Sequence, residues 1–533
     1  MSALPSPATL SNLIVEAAHR FGDDEAIVAI DGRMSYRDID ARSDLVARAL
    51  GAAGIGPGDH VGICAGNSCQ WIVLFYGIAK AGAVCVPINT RLKASEIRYQ
   101  LAQARVKLLF LADRLLSIDF LALFDAVASG LRHGFPQDDL PHLARIVLLG
   151  GASHARCSTY AAFLDAGGGA PLPRQPDEDD LALIQYTSGT TSLPKGAMLS
   201  HRAMVRDAAA VAARMGMTRG DRYLSARPFF HVAGTTLSIA ASACVGACLV
   251  TMTRFTAEDA VALMEAEACT HFSGNDTMFL MLLEREDAAG RSRLRGGWAA
   301  ASPAVIERAV DELGARDLVV AYGLSEASPN VAVSDWRDAL NDRIEGWMRP
   351  HEGLEVRIAD PATSGTLPHG RSGEIQVRGW SVMKGYFDKP EETAAALRND
   401  GFLLTGDMGV MRMDGRIRFL GRLKEIIRVG GENVSPGEIE DVLVSHPDVA
   451  QAQVVGVPDP RLIEVPAAYV VLKSGSKSTS DDLGAWARSQ LAGFKAPRHF
   501  AIVESFEPLG LTASGKVQKT RLKEDAISRF GLG

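Results

Sequence analysis

Tyr186-Thr-Ser-Gly-Thr-Thr-Ser-Leu-Pro-Lys-Gly-Ala197 is the stretch that decides how the rest of the chain is interpreted. It follows an apolar run, residues 181–184, that is typical of a buried strand. Its centre carries hydroxyl side chains around Gly189, and hydroxyls with exposed backbone N–H groups bind phosphate oxygens. Lys195 adds a point charge for the same oxygens. The alternative is a polar surface loop without a ligand.

The stretch differs from the common P-loop, which needs a Gly directly before its Lys and a Ser or Thr after it. It resembles instead the phosphate loop of the adenylate-forming superfamily, which includes acyl-CoA synthetases, peptide-synthetase adenylation domains and firefly luciferase. The family pattern is Thr-Ser-Gly-Thr-Thr-Gly-x-Pro-Lys-Gly, and this chain departs from it at Ser192, where the φ > 0 that Gly allows is costly. The resemblance implies ATP contacts at Thr187, Ser188, Gly189, Thr190, Thr191 and Lys195.

A second motif, Ala321-Tyr-Gly-Leu-Ser-Glu326, matches the family form Tyr-Gly-x-Thr-Glu with Ser in place of Thr. Glu326 supplies a hard oxygen of the kind that Mg²⁺ prefers, so the resemblance implies Mg²⁺ held through Glu326 and Thr187. Upstream, Ala300-Ala-Ser-Pro303 stands where the family commonly has Gly-Gly-Ala-Pro near the adenine. The nucleotide contacts implied by these two segments are Ala301, Ser302, Tyr322, Gly323, Leu324 and Ser325.

Leu404-Thr-Gly-Asp407 and Gly421-Arg-Leu-Lys424 are the next two motifs. A carboxylate such as that of Asp407 can accept both ribose hydroxyls, and the alternative is an ordinary turn aspartate. The resemblance implies that Arg422 also contacts the ribose and that Lys424 is a hinge. We therefore predict an adenylation domain over residues 1–422 and a mobile lid domain over residues 423–533.

The lid domain carries two further motifs. Gly430-Gly-Glu-Asn-Val-Ser435-Pro-Gly-Glu438 predicts a capping box between Ser435 and Glu438, with Pro at the first helical position. The resemblance places the pantetheine arm of CoA against Gly431. Gly510-Leu-Thr-Ala-Ser-Gly-Lys516 resembles the terminal motif that carries the family's catalytic lysine, so Lys516 is assigned to adenylation. The alternative is a solvated lysine in a basic tail.

Pro228-Phe-Phe-His231-Val-Ala-Gly234 matches a family motif whose aromatic or His residue lines the acyl pocket. His231 is counted with Lys516 and Glu326 among the catalytic residues, as a gate or wall, because a carboxylate arrives already ionised. A lone His in an apolar stretch is otherwise a packed core residue. The other pocket candidates are small or apolar and predict an apolar, roomy acid: Ala233, Gly234, Ala299 and Leu324. Asn275 and Asp276 are weaker signs of a polar group on the substrate.

Composition is ordinary for a soluble globular protein. The chain has 533 residues, 47% hydrophobic and 22% charged, and a net charge of −7 gives no reason to expect nucleic acid or an anionic membrane as a partner. Residues 228–253 lack charge but are rich in small residues, which favours a core segment over a membrane span. No signal peptide is evident, and cysteines without metal spacing indicate buried free thiols and a cytoplasmic protein.

Strands alternate with helices along the chain, which predicts an α/β fold: a large N-terminal domain of helix-covered sheets and a small α+β C-terminal domain. The resemblance implies an AMP-forming acyl-CoA synthetase whose substrates are ATP, a small carboxylic acid and CoA, with Mg²⁺. Two alternatives stay open: a ligase that loads a carrier protein, and a nucleotide-binding protein without catalysis. The oligomeric state is also open, with a homodimer as a candidate.

Overall fold

The computed structural model describes residues 4–127, 135–187, 193–291, 293–430, 432–511 and 517–532. Several helix starts are fixed by the side chain of the preceding residue, which accepts a backbone N–H one turn on. Thr9, Ser68 and Ser200 do this for residues Asn12, Trp71 and Ala203.

The first part of the chain alternates helices and strands. Its elements are α1 (Leu10–Phe21), β1 (Glu25–Ala29), β2 (Gly32–Ser35), α2 (Tyr36–Ala52), β3 (His60–Cys64), α3 (Cys69–Lys80), β4 (Val84–Pro87), α4 (Ala94–Gln103), β5 (Leu108–Leu111), β6 (Arg114–Leu115), β7 (Ile118–Asp119), α5 (Phe120–Val127), β8 (Arg145–Leu148), β9 (Ser158–Thr159) and α6 (Tyr160–Ala166). Strands β1 and β2 form an antiparallel hairpin.

The central part continues the same alternation. Its elements are β10 (Leu181–Thr187), β11 (Lys195–Ser200), α7 (His201–Arg214), β12 (Arg222–Ser225), α8 (Val232–Gly234), a π-helix (Thr235–Ala240), α9 (Ala241–Val245), β13 (Cys248–Thr251), α10 (Ala257–Ala266), β14 (His271–Asn275), α11 (Asp276–Leu283), α12 (Ala288–Arg291), β15 (Gly296–Ala300), α13 (Pro303–Leu313), β16 (Asp317–Gly323), a 3₁₀ turn (Ser325–Ala327), β17 (Asn330–Val333), α14 (Leu340–Ile344) and β18 (Arg349–Pro350).

The strands of the last part pair mostly antiparallel. Its elements are β19 (Leu354–Ala359), β20 (Gly373–Gly379), α15 (Pro390–Ala396), β21 (Leu403–Met411), β22 (Ile417–Arg422), a 3₁₀ turn (Leu423–Glu425), β23 (Ile427–Val429), β24 (Glu432–Val434), α16 (Pro436–Val444), β25 (Val449–Asp459), β26 (Ile463–Leu472), α17 (Ser480–Gln490), β27 (His499–Ile502), a 3₁₀ turn (Glu507–Leu509) and α18 (Lys519–Arg529). Strands β26 and β27 are a parallel exception.

Five sheets contain the described strands, and the smallest of them is the two-stranded pair β6–β7. Two mostly parallel sheets have the orders β18-β17-β16-β15-β14-β12-β13-β1-β2 and β11-β10-β4-β3-β5-β8-β9, and buried helices such as α3 pack between them. An antiparallel sheet, β19-β20-β21-β22, follows, and a last sheet, β24-β23-β26-β25 with β27 beside β26, has its own apolar cores. The α/β fold with a large N-terminal and a small C-terminal domain is therefore confirmed.

The uncharged segment at residues 228–253 is part of the core. It folds into α8, the π-helix, α9 and β13, whose side chains are almost all buried. Cys244 and Cys248 are both buried, and neither forms a disulfide bond. Across the residues that the structure describes, no helix has the length and apolar character needed to cross a membrane.

Strand β22 ends at Arg422 and a 3₁₀ turn follows it. The four strands before this point, β19 to β22, belong to one sheet, and the strands after it, β23 to β27, belong to another. The division at residues 422 and 423 stays a prediction.

The start of α16 differs from the predicted capping box in two details. Ser435 precedes α16 but does not cap it, because its hydroxyl donates to the carbonyl of Leu420, and Glu438 forms an ion pair with Lys495 at 2.6 Å. The predicted capping box is therefore wrong, although Pro436 is the first residue of α16, as predicted.

Candidate functional site

The predicted phosphate loop joins the two strands of a hairpin. Strands β10 and β11 pair antiparallel, with Thr187 directly opposite Lys195, and the Thr187 hydroxyl donates to the Lys195 carbonyl at 3.4 Å. Tyr99 donates its hydroxyl to the carbonyl of Pro194 at 3.0 Å. The other predicted contacts of this loop, Ser188, Gly189, Thr190 and Thr191, lie outside the described residues, as does Ser192.

A segment almost two hundred residues downstream pairs with the outer edge of β11. The backbone N–H groups of Lys384 and Phe387 donate to Met198 and Gly196 at 2.9 and 2.8 Å, and Met198 donates back to Gly385 at 3.0 Å. This pairing brings the Tyr386 ring beneath Lys195, whose Nζ lies 4.6 Å from the ring centroid. Such a distance is in the range of a cation–π contact.

Tyr386 also connects this hairpin to Glu326. Its hydroxyl donates to Glu326 Oε1 at 2.8 Å, and the Glu326 carbonyl accepts the backbone N–H of Met383 at 2.8 Å. Glu326 itself lies in the 3₁₀ turn that follows β16. Sequence reasoning missed Tyr386, because the signal around it, a Gly-Tyr pair shortly before the Pro that starts α15, indicates only a turn.

The oxygen donors near Glu326 fit a Mg²⁺ ion that is bound together with a nucleotide. Mg²⁺ is usually bound through one or two carboxylates together with substrate phosphates and waters. Within the described ranges, no group of three or more His, Cys, Asp or Glu side chains could hold a metal ion by itself. One carboxylate beside the stem of a phosphate loop therefore suits a Mg²⁺ ion that shares its coordination with ATP.

Tyr322, Asp407 and Arg422 are brought together from three motifs. Asp407 lies opposite Arg422 in the β21–β22 pairing, and Arg422 Nε is 3.0 Å from Asp407 Oδ1. The Tyr322 hydroxyl donates to Asp407 Oδ2 at 2.9 Å, and its ring stacks on Phe419 with centroids 5.5 Å apart. Burial raises the pKa of the Asp407 carboxyl to about 6, although Arg422 lowers it. The cluster offers acceptor oxygens and an aromatic face.

Gly323, Leu324 and Ser325 connect this cluster to Glu326. Gly323 lies so close to the following loop that a Cβ there would meet the Pro329 carbonyl oxygen at 2.0 Å. The Leu324 N–H donates to the same carbonyl at 2.8 Å. Only Gly therefore allows the tight bend that carries the chain from Tyr322 to Glu326.

His231 is the N-cap residue of the short helix α8, within the uncharged segment of residues 228–253. Its side chain is exposed, and Nδ1 accepts the backbone N–H of Ala233 at 3.1 Å. The turn before it is tight, since a Cβ on Gly234 would lie 2.2 Å from the Pro228 carbonyl oxygen. Ala233, Gly234 and Ala299 are buried in the chain's core, and Leu324 is half-buried.

Asn275 and Asp276 have structural partners. Asn275 Oδ1 caps α11 by accepting the Met278 N–H at 3.1 Å, and Asp276 Oδ1 accepts the Ser302 N–H at 2.8 Å. The second bond fixes Ala301 and Ser302 at the start of α13. These two polar residues therefore carry less information about the substrate than their presence in the sequence indicates.

In the C-terminal domain, Lys424 lies in the 3₁₀ turn directly after β22. Gly431 and Lys516 lie outside the described residues. The basic stretch beyond Lys516 forms α18, where Lys519 and Lys523 form ion pairs with Glu440 and Glu464. Residues 519–529 are therefore a packed helix rather than a solvated tail.

Comparison with known proteins agrees with this arrangement. The family described as "AMP-binding enzyme" matches residues 14–387, and "AMP-binding enzyme C-terminal domain" matches residues 438–516. The putative acyl-CoA synthetase YngI of Bacillus subtilis (strain 168) is 34% identical over 98% of both chains. The 3-[(3aS,4S,7aS)-7a-methyl-1,5-dioxo-octahydro-1H-inden-4-yl]propanoyl:CoA ligase of Rhodococcus jostii (strain RHA1) is 35% identical over 97% of this chain and 99% of that protein.

Among solved structures, the anthranilate CoA ligase AuaEII in complex with anthranoyl-AMP has the same fold, with a TM-score of 0.88 at 24% identity over 98% of both chains. The family match covers most of the chain, and the relatives align along almost all of it. The chain therefore belongs to the AMP-binding enzyme family of the adenylate-forming superfamily, and it is an ATP-dependent acyl-CoA ligase.

Proposed function

We propose that this ligase activates an acid with an apolar body as its acyl-adenylate and then transfers the acyl group to CoA. In the first step a carboxylate oxygen attacks the α-phosphorus of ATP, and the bond to the pyrophosphate oxygen breaks. In the second step the sulfur of CoA attacks the acyl carbon, AMP leaves with the bonding electrons, and the thiol proton passes to solvent.

The observation that carries the proposal is the meeting of Lys195, Tyr386 and Glu326 beside the stem of the phosphate loop. An anion attacks a polyanion in the first step, so positive charge has to be focused on the phosphates. Lys195 supplies one charge, and Lys516 is assigned the bridge between the carboxylate and the α-phosphate. Mg²⁺, held through Glu326 and Thr187, would neutralise the departing pyrophosphate.

The cluster around Asp407 supports the binding of the nucleoside. The Asp407 carboxylate accepts ribose hydroxyls beside Arg422, while the Tyr322 ring offers its face to the base. The contacts proposed for the rest of the nucleotide are Ser188, Gly189, Thr190, Thr191, Ala301, Ser302, Gly323, Leu324 and Ser325. His231 lines the entrance to the acyl pocket.

The second step requires that Lys516 withdraw. Rotation of the C-terminal domain about Lys424 would remove it and bring Gly431 to the pantetheine arm, which is a hinge motion of one domain relative to another. We further propose that the protein is cytoplasmic and forms a homodimer. Size-exclusion chromatography with light scattering measures the molar mass in solution and so tests the homodimer directly. Loading of a carrier protein is the alternative for the acceptor.

The test is the release of pyrophosphate and AMP from ATP with fatty, aryl and alicyclic acids, with and without CoA. Lys516→Ala is expected to lower acid-dependent pyrophosphate release by about 10²–10³-fold, the usual cost of one focused charge. Lys523→Ala is the matched control, because its ammonium pairs with Glu464. Acyl-adenylate that forms but never reacts with CoA would favour the carrier-protein alternative.

A further inference from the structure

Arg227 lies at the carboxyl end of β12, four residues before His231. Its backbone is held on both sides, because its N–H donates to Ser225 Oγ at 3.4 Å and its carbonyl accepts the Asn67 amide at 2.9 Å. Ligands of parallel sheets bind at the carboxyl ends of the strands. The residue is half-buried, so part of its side chain is within reach of a molecule that enters there.

The Arg227 guanidinium rests on an aromatic platform. Its Cζ lies 4.7 Å from the centroid of the Trp298 ring on β15. The indole Nε1 of Trp298 donates to the Tyr223 hydroxyl at 3.0 Å, and that hydroxyl donates to Ser273 Oγ at 2.7 Å. The platform is therefore fixed across three neighbouring strands, β12, β14 and β15.

One edge of this guanidinium is buried and unused. Nε and Nη2 are both inaccessible to solvent, and neither has a hydrogen-bond partner among the residues that the structure describes. Burial lowers the pKa of Arg227 to about 10, which still leaves it charged at neutral pH. A buried charge without hydrogen bonds is costly, so an arrangement of this kind calls for a partner.

Other arginines of this chain show which partner suits that edge. Nε and Nη2 together hold the two oxygens of a carboxylate in several pairs, three of which illustrate the geometry. The pairs and distances are Arg202 with Asp179 at 2.9 and 2.8 Å, Arg308 with Glu312 at 2.7 and 3.1 Å, and Arg337 with Asp335 at 2.8 and 2.8 Å.

We infer that the acid activated by this enzyme carries a second carboxylate at its distal end, and that the guanidinium of Arg227, resting on Trp298, binds it. Binding through Nε and Nη2 requires that the entering acid displace the groups that now cover this edge. This inference rests on the proposed function and names the substrate class for the same site. The reacting carboxylate stays at the phosphates, while the apolar body of the acid passes His231 and the small residues Ala233 and Gly234. Arg227 then selects diacids over monoacids.

The test compares matched acids in the pyrophosphate-release assay with ATP and CoA. Dicarboxylic acids of increasing length, aliphatic and ring-containing, are paired with acids in which the distal carboxylate is replaced by methyl, amide or ketone. The variants are Arg227→Met and Arg227→Lys, and Arg337→Met is the control because Arg337 is exposed and pairs locally with Asp335. Thermal unfolding of each variant without ligand is measured alongside.

The wild type is expected to prefer a diacid to its methyl analogue. Arg227→Met should lower kcat/KM for the diacid by about 10- to 100-fold, the cost of losing hydrogen bonds to a charged group, while kcat/KM for the methyl analogue stays level or rises. Arg227→Lys should recover part of the loss, since it keeps the charge without the fork. The midpoint of thermal unfolding should stay level or rise, because an unpaired buried charge is removed.

Four results would overturn the inference. Equal use of methyl analogues by the wild type, with Arg227→Met changing both classes alike, would reject it and leave the proposed function standing. So would equal use of amide or ketone analogues, or a marked loss of stability in Arg227→Met, which would make the side chain a structural support of Trp298. Failure of every acid to release pyrophosphate would reject both the proposed function and the inference.

Discussion

The Tyr386 hydroxyl offers the sharpest test of how the site is assembled. We predict that Tyr386→Phe lowers kcat/KM for acid-dependent pyrophosphate release by about 10- to 100-fold, because it removes a hydrogen bond to a carboxylate, worth about 1.5–3 kcal/mol. The ring is kept, so the contact with Lys195 persists. Tyr386→Leu removes the ring as well and should cost a further factor, up to about 30-fold for a desolvated cation–π contact.

A double-mutant cycle separates positioning of Glu326 from general damage. If Tyr386 acts through Glu326, Tyr386→Phe should have little effect once Glu326→Gln is present. The concentration of Mg²⁺ needed for half-maximal rate should rise in Tyr386→Phe, because the carboxylate proposed as its ligand loses its orientation.

The matched control is Tyr469→Phe. The Tyr469 hydroxyl donates to the Asp525 carboxylate at 2.6 Å in the C-terminal domain, so this variant removes the same kind of bond away from the nucleotide. It should lower the free energy of unfolding and leave pyrophosphate release unchanged. A Tyr386→Phe enzyme within twofold of wild type, with unaltered Mg²⁺ dependence, would refute the positioning role.

Buried groups give three further predictions. Asp407, with a pKa raised to about 6, must ionise to accept ribose hydroxyls, so the KM for ATP should rise as pH falls through 6, and Asp407→Asn should raise it at every pH. Burial, with Asp276 and Glu440 nearby, raises the pKa of Asp441 to about 7. The folded state therefore binds this proton more tightly than the unfolded state does. The contribution of Asp441 to the free energy of unfolding is present at low pH and is lost as pH rises through 7. Thermal unfolding from pH 5 to 9 should show this slope in the wild type and a shallower one in Asp441→Asn. Gly234→Ala should lower the free energy of unfolding by about 1–3 kcal/mol in denaturant titration, because its Cβ would overlap a carbonyl, whereas Gly56→Ala, with open space, should not.

The parts of the site that could be predicted from sequence are those that consecutive residues build. Thr187 and Lys195 belong to one hairpin, and Asp407 and Arg422 to another, so motif and pairing lie within a short stretch. Tyr386 could not be predicted in this way, because backbone pairing between β11 and a segment far along the chain brings it to Glu326. Local patterns carry no information on such contacts.

Predictions from local sequence were also wrong where a residue distant in the sequence contacts the same group. Ser435 has the residue type and spacing of a cap, but the Leu420 carbonyl takes its hydroxyl. The lysine-rich end of the chain has the composition of a solvated tail, yet Leu522 and Ala526 are buried on one face of α18, and this apolar contact folds it. In both cases tertiary contacts determine the local structure, because the intrinsic preference of the residues for a cap or a helix is too weak to do so.

The β10–β11 hairpin limits where this enzyme can gain or lose residues. Strand side chains alternate between faces, so an insertion of one residue between Lys195 and Ala197 would reverse the faces of the strand beyond it. It would also shift the pairing with Tyr386 and Phe387 and so separate Lys195 from Glu326. Changes of length between Thr187 and Lys195 leave both strands in register. The backbone pairing therefore fixes the length of the two strands, whereas the phosphate contacts proposed for Ser188, Gly189, Thr190 and Thr191 constrain the residues between them.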